Sequence, residues 1–265
     1  GAAGLLDALG ADPSLWSAQQ VRKFVLDCAR QCGASTTQKL ITSLRAFLRY
    51  LSFRGQCPAD LDQAVPAVAH WRLATLPPCL SAEEVDRLIA ACNGSSTRRL
   101  RDRAIMLLLA VYGMRRGEVA ALRLEHIDQE GRQLRIWRLK RRQPQLYPLV
   151  PSVAQALARY IDVARPQVAH TEVFIRAQAP RTPISVDGIY DIVRRRLRPL
   201  QIQAAHLGPH ALRHSCAAKM LADGLTLKEI GDHLGHRSTA STMTYAKVDM
   251  VGLRQVGEFD LGDLQ

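Results

Sequence analysis

The sequence predicts a mainly α-helical protein with a small antiparallel β-sheet, an α+β fold. Helical periods of apolar residues run through most of the chain, and serine N-caps precede three of them. Residues 132–150 differ, because two short segments there alternate apolar and polar side chains as a hairpin does. At 265 residues, the chain is long enough for one large domain or two modest ones.

Residues 1–55 are predicted to form a helical region of their own. Ser17-Ala-Gln-Gln20 and Ser35-Thr-Thr-Gln38 both match capping boxes, each at the start of a helix. The second helix has one apolar face and ends before Gly55. Prolines and the lack of a clean period then predict a linker over residues 56–80, with a short helix around residues 61–71.

A second domain is predicted over residues 81–265. Ser81-Ala-Glu-Glu84 is a third capping box, and a helix that buries one face ends at Gly113. The elements predicted next are strands Arg132–Leu139 and Gln145–Val150, a helix from Pro151, a strand Val173–Ile175 and a helix from Ser185 to about Leu200.

The charge of the chain indicates a polyanionic partner. Net charge is +12 and the pI is about 9.9, mostly from arginine. Charge alone does not distinguish DNA, RNA and an anionic membrane as that partner. The apolar fraction of 47% argues against disorder. No apolar run approaches the roughly 20 residues of a membrane span, and no signal peptide opens the chain.

The six cysteines are scattered along the chain. Cys28 and Cys32 lie one helical turn apart and are a candidate metal pair. The favoured interpretation is that all six are reduced thiols in a cytosolic protein.

One constellation near the C-terminus carries the strongest signal. It comprises His210-Ala-Leu-Arg213-His214, then Leu234-Gly-His236, then Tyr245. This arrangement resembles the tyrosine recombinases, also called the phage integrase family, whose signature is H-x-x-R, then L-G-H, then a tyrosine. The resemblance implies a catalytic domain over residues 81–265, with a tail from about residue 250. It also implies that residues 1–55 are a core-binding region, here a partial one.

A second motif fits the same family. Gly113-Met-Arg115-Arg-Gly-Glu118-Val resembles the family's first box, G-x-R-x-x-E-[LV]. Arg115 and Glu118 are three residues apart, so the acid can orient the guanidinium on one helix face. A solvated ion pair is the alternative. Arg116 has the wrong register to Glu118.

The family places its catalytic lysine on a β-hairpin that ends in a similar Pro-Leu, here Pro148-Leu149. Lys140 matches this position. Arg141 and Arg142 remain alternatives, as does a merely solvated basic turn. The chemistry favours lysine, because an ammonium can give up a proton that arginine retains.

The histidines need separate assignment. His210 and Arg213 lie at i and i+3 on one helix, whereas His214 is predicted to point to a different face and support the fold. His236 follows a Leu-Gly turn. His233 and His236 resemble a metal pair, but no third ligand is spaced to join them, so no metal is predicted.

The resemblance implies DNA strand cleavage by transesterification, without metal or cofactor. Tyr245 would attack a phosphodiester, which leaves a 3′-phosphotyrosine and a free 5′-hydroxyl. Lys140 would protonate that leaving oxygen, and His210 would accept the tyrosyl proton or hold the phosphate. The predicted catalytic residues are Arg115, Lys140, His210, Arg213, His236 and Tyr245, with Glu118 as the orienting acid.

The expected partner is double-stranded DNA, bound by a tetramer assembled on it, in the cytoplasm at the nucleoid, for a protein of bacterial or phage origin. The tail from Met250 to Leu264 would pack on a neighbouring protomer or on its own domain. Further predicted DNA contacts are Arg141, Arg142, Arg194, Arg195 and Arg198.

Three other functions compete. A type IB topoisomerase uses the same tyrosine chemistry to relax supercoils. A DNA-binding regulator on this fold would show a broken catalytic set, whereas this set is complete. A basic RNA-binding module is disfavoured by an aromatic content of only 5%.

Overall fold

The structure is a computed structural model that describes residues 2–67, 79–138, 143–202, 208–236, 242 and 245. Its contacts divide the chain into two compact units, Gly1–Ala74 and Thr75–Gln265. Helix dominates, with one small antiparallel sheet among the described residues, which confirms the predicted fold class. None of the described helices combines the length and apolar character needed to cross a membrane.

The first unit is built from α1 (Ala2–Leu9), α2 (Ala18–Gln31) and α3 (Ala34–Phe53). The predicted capping box at Ser17 is confirmed, because its hydroxyl accepts from the N–H of Gln20 and the Gln20 side chain accepts in return. The predicted cap at Ser35 is wrong. The helix begins one residue after Gly33, whose carbonyl already accepts the first helical N–H groups.

Part of the predicted linker belongs to the first core. The 3₁₀ turn Leu61–Ala64 packs on α3, and Cys57, Leu61 and Val65 are buried beside Leu48. Apolar side chains in this stretch therefore close the small helical unit rather than span two domains. Residues 68–78 lie outside the described part of the chain.

The second unit places its helices around a central one, α5. Its elements are α4 (Ala82–Ala90), α5 (Thr97–Tyr112), α6 (Arg116–Ala120), β1 (Ile127–Asp128), β2 (Gln133–Arg138), β3 (Gln143–Pro148), α7 (Pro151–Arg159), α8 (Val186–Leu197), α9 (Pro209–Ala222) and α10 (Leu227–Leu234). The strands form an antiparallel sheet in the order β1-β2-β3, with Leu134 opposite Tyr147. The predicted capping box at Ser81 is confirmed, as is the predicted place of Pro151 in the first turn of a helix.

The predicted apolar face of α5 is buried, but burial extends beyond that face, since residues 104–109 are all buried. Helices α4, α7, α8 and α9 pack around it, so the helix is a core element rather than an amphipathic surface helix. The ion pairs of buried Asp102 with Arg101 and Arg196 add a polar link from α5 to α8.

Two further elements differ from prediction. Val173–Ile175 is buried, but in place of the predicted strand the structure has two isolated β-bridges, one between Arg123 and Glu172 and one between Ile175 and Pro183. The last residues of the helix predicted to reach Leu200 form a 3₁₀ turn. Arg194, Arg195 and Arg198, predicted from the sequence as DNA contacts, are all exposed.

Candidate catalytic centre

The candidate residues meet where two glycine turns come together. Gly113 ends α5 with φ of 56°, and Gly235 ends α10 with φ of 65°, both left-handed. A Cβ on Gly113 would lie 2.5 Å from Leu234 Cδ2, so the close approach of the two turns requires glycine. Helix ends of this kind leave carbonyl groups that side-chain cations can reach.

Arg115 is held from two sides at the start of α6. Its Nη1 donates to Glu118 Oε1 at 2.8 Å, and its Nη2 donates to the Gly235 carbonyl at 3.3 Å. Glu118 Oε2 also accepts the Arg115 backbone N–H at 2.8 Å. The structure thus has the predicted pairing, with Glu118 fully buried and Arg115 partly exposed.

Sequence reasoning missed Arg138, a buried arginine in β2. Its Nη1 donates to Glu118 Oε2 at 2.8 Å and its Nη2 to the His233 carbonyl at 2.5 Å. The Tyr147 hydroxyl is a further partner. A signal existed, because Leu134, Ile136 and Arg138 share one face of the strand and an arginine on a buried face needs an acid.

Arg213 lies deepest among the predicted cations. Its two terminal nitrogens donate to the carbonyls of Gly113 and Leu234, so it joins the two turns. Burial lowers the pKa of the guanidinium to about 10, with the charges of Arg115 and Arg138 contributing. The group therefore remains a cation at neutral pH.

His236 follows the second turn and packs beside Tyr245. The two rings are almost parallel, with centroids 6.3 Å apart. Its Nδ1 lies 2.7 Å from Thr242 Oγ1. Burial, followed by the charges of Arg213 and Arg115, lowers the pKa of His236 to about 3, so the imidazole is neutral at physiological pH.

Tyr245 is buried, with 2% exposure, in an apolar cluster that includes Cys216, Ile230 and Leu234. Burial raises the pKa of its hydroxyl to about 12, against the opposing charge of Arg213. The nucleophile candidate is thus a protonated phenol that the fold has brought to the cationic centre.

The prediction that His214 points to another face is wrong. Its Nδ1 lies 3.0 Å from the Tyr245 hydroxyl, and its ring packs edge-on against that of His210 at 4.3 Å. The physical reason is the α9 helix itself, because residues at i and i+4 share a face. His210 is exposed beside it.

Lys140, Arg141 and Arg142 lie outside the described residues, in the segment that joins β2 to β3. Their assignments stay predictions. Within the described part of the chain, no three His, Cys, Asp or Glu side chains group as metal ligands.

Comparison with known proteins places this centre in a family. The model of the phage integrase family matches residues 78–251. The chain belongs to the phage integrase family. The matched range contains both glycine turns, all the predicted catalytic residues and Arg138.

Relatives in this family include named recombinases. The chain is 38% identical to the integrase/recombinase y4rA of Sinorhizobium fredii over 89% of its own length and 58% of the relative's. It is 30% identical to the tyrosine recombinase XerC of Roseiflexus castenholzii, over 86% of this chain and 73% of XerC. The chain spans about half the length of y4rA and of its homologue y4rF, 58% and 53% respectively.

A solved structure has the same phage integrase fold. The XerH site-specific recombinase, in a post-cleavage complex with its palindromic difH substrate, superposes with a TM-score of 0.76 at 17% identity. The match covers 92% of this chain and 72% of XerH. At this identity the similarity shows the fold.

Proposed function

We propose that this phage integrase family chain is a site-specific recombinase that cuts and rejoins double-stranded DNA through a 3′-phosphotyrosine. The observation that carries the proposal is the turn Leu234–His236. Arg213 and Arg115 bind its first two carbonyls, and the His236 ring at its end packs on Tyr245. One turn therefore gathers two cations, an imidazole and a phenol.

The two arginines fit a phosphodiester in its transition state. Each guanidinium has five N–H donors, and the bonds of Arg213 to Gly113 and Leu234 use two of them. The remaining N–H groups, fixed by these anchors, can stabilise the charge that builds on the non-bridging oxygens. Such stabilisation is needed because a phenol with a pKa of about 12 is a weak nucleophile at neutral pH.

His236 would add a neutral hydrogen bond. In the tautomer in which Nδ1 accepts from the Thr242 hydroxyl, the ring proton resides on Nε2. A pKa of about 3 keeps the ring neutral, so it would donate a hydrogen bond to a phosphate oxygen without transferring a proton.

The remaining roles follow from the resemblance. Lys140 would protonate the 5′-oxygen, and His210 would serve proton transfer or hold the phosphate. The basic residues proposed to contact flanking DNA are Arg141, Arg142, Arg194, Arg195 and Arg198. The chain would act as a tetramer on DNA, in the cytoplasm at the nucleoid.

A nicked suicide duplex tests the proposal. Wild-type protein should form a covalent adduct that survives both denaturation and EDTA, whereas Tyr245→Phe should bind the duplex and form none. An adduct from that variant would refute the nucleophile assignment. Transfer of the captured strand to a second duplex separates a recombinase from a topoisomerase, which only relaxes supercoils. Binding without any adduct would support the regulator alternative.

A further inference from the structure

We propose that His214 accepts the proton of Tyr245 as that hydroxyl attacks phosphorus, and that His210 exchanges this proton with solvent. The inference rests on the cleavage reaction proposed above, and gives His214 a catalytic role where the sequence predicted a supporting one.

Direct contact places His214 in this role. Its Nδ1 lies 3.0 Å from the Tyr245 oxygen, which is hydrogen-bond distance for proton transfer. Tyr245 is only 2% exposed, so its proton must leave through a neighbouring group rather than directly to bulk water. The ring of His214 is half-buried between the phenol and the exposed ring of His210.

The electrostatics decide when the proton can move. Burial, His210 and Arg213 lower the pKa of His214 to about 4, so the ring is neutral at neutral pH, and in its Nε2–H tautomer the Nδ1 lone pair faces the Tyr245 hydroxyl. The pKa of Tyr245, about 12, lies far above that of His214, so proton transfer within the resting pair is strongly unfavourable. Transfer must therefore be concerted with attack, when bonding to phosphorus makes the phenolic proton strongly acidic.

Substrate would favour the transfer. A bound phosphodiester offsets the charge of Arg213, one of the groups that hold the pKa of His214 low. Protonation of His214 then costs less with DNA in place than without it. The tyrosine is thereby kept as an inert phenol until a scissile phosphate arrives.

The step balances without any further reactant. The bond from the Tyr245 oxygen to phosphorus forms while the bond from phosphorus to the 5′-oxygen breaks. The phenolic proton passes to His214 Nδ1, and the departing oxygen takes its proton from Lys140, as proposed above. In rejoining, the 5′-oxygen bonds to phosphorus as the 5′-hydroxyl returns its proton to Lys140, and the phosphotyrosyl bond breaks as His214 returns a proton to the leaving phenolate.

The test separates the loss of the Tyr245 proton from the protonation of the leaving 5′-oxygen. A duplex with a 5′-bridging phosphorothiolate releases a thiolate that needs no proton, so Lys140→Ala should regain activity on it. His214→Asn retains an acceptor atom near the position of Nδ1 but is too weakly basic to hold a proton. It should form adduct about 10²-fold more slowly than wild type on both duplexes, with unchanged DNA affinity.

Two readouts separate proton transfer from a purely structural role. Added imidazole should restore adduct formation to His214→Ala in proportion to its free-base concentration. In wild type, the rate of adduct formation should fall at low pH as His214 becomes protonated, which gives the pH–rate profile an acid limb. The His214→Asn variant should lack this acid limb. The titratable or charged groups facing the ring are His210, Arg213, His236 and Tyr245. The variant His210→Asn should keep the acid limb.

If His214→Asn formed adduct at the wild-type rate and kept the acid limb, the assignment would be overturned. It would also be overturned if the acid limb were lost in His210→Asn but kept in His214→Asn. A wild-type protein that forms no adduct would instead overturn the proposed function, and this assignment with it.

Discussion

Arg138 and Glu118 form an ion pair of 2.8 Å in which the side chains are 1% and 0% exposed. Glu118 also binds Arg115 at 2.8 Å, so one buried carboxylate holds two guanidiniums at the candidate catalytic centre. Only Arg115 reaches solvent. The buried pair thus connects strand β2 to the residue proposed to hold the scissile phosphate.

Removing the carboxylate should be costly. Glu118→Ala leaves Arg138 buried without its charge partner, and we expect the free energy of unfolding to fall by about 3–5 kcal/mol. Asp187→Ala removes the partner of Arg116 in an exposed pair and is the matched control, expected to cost less than about 1 kcal/mol. Urea denaturation measures both. Equal losses would show that burial does not set the strength of the Glu118 pair.

The turn at Gly235 should be more sensitive than another left-handed glycine. A Cβ at Gly235 would lie 2.9 Å from Arg138 Cδ, whereas one at Gly224, with φ of 87°, meets nothing within 4 Å. Gly224→Ala should therefore show backbone strain alone, about 1 kcal/mol. Gly235→Ala should also displace Arg138 and slow adduct formation. Adduct assays and thermal melts on both variants check this, and equal rates would contradict it.

Arg115 and Arg213 should contribute more to the rate of DNA cleavage than to DNA affinity. Lysine keeps the positive charge but not the fixed fork of donors, so Arg115→Lys and Arg213→Lys should each lower the adduct rate about 10²–10³-fold. DNA affinity, measured by gel shift at fixed salt, should change far less. A proportional loss of affinity would reassign these residues to binding.

Acid should destabilise the fold before its carboxylates titrate. The folded-state pKa values of His214 and His233 are about 4 and that of His236 about 3, against about 6.5 when unfolded. The unfolded chain therefore binds more protons below about pH 6.5, and the free energy of unfolding should decline from there toward pH 4.

Urea denaturation between pH 7 and 4.5 measures this slope. His233→Gln removes one of the three imidazoles with a lowered pKa and should make the slope shallower. A stability independent of pH across this range would contradict the lowered pKa values of the three rings.

The sequence predicted the local features well where the cause was local. The capping boxes at Ser17 and Ser81 form because each hydroxyl and its partner lie within four residues. The cap at Ser35 failed because Gly33 could start the helix earlier. The exposure of α5 also could not be predicted, since four other helices decide how much of its surface is covered.

Within the catalytic centre, spacing predicted the pairing of Arg115 with Glu118 because both belong to one helical turn. Contacts between residues far apart in the sequence could not be predicted in this way. Arg138 lies 20 residues from Glu118 and 95 from His233, and no local pattern gives such distances. Helical spacing could have predicted the face on which His214 lies. It could not have predicted the contact with the Tyr245 hydroxyl, 31 residues away.

By itself the sequence determined the family, the helices with one small sheet, and the identity of the reactive groups, because motifs and periodicities are properties of neighbouring residues. Tertiary structure alone decided that His214 contacts the Tyr245 hydroxyl and that Arg138 is buried against the Glu118 carboxylate. Those outcomes depend on how α9, α10 and β2 pack against one another. Burial in turn sets the pKa values on which the chemistry rests.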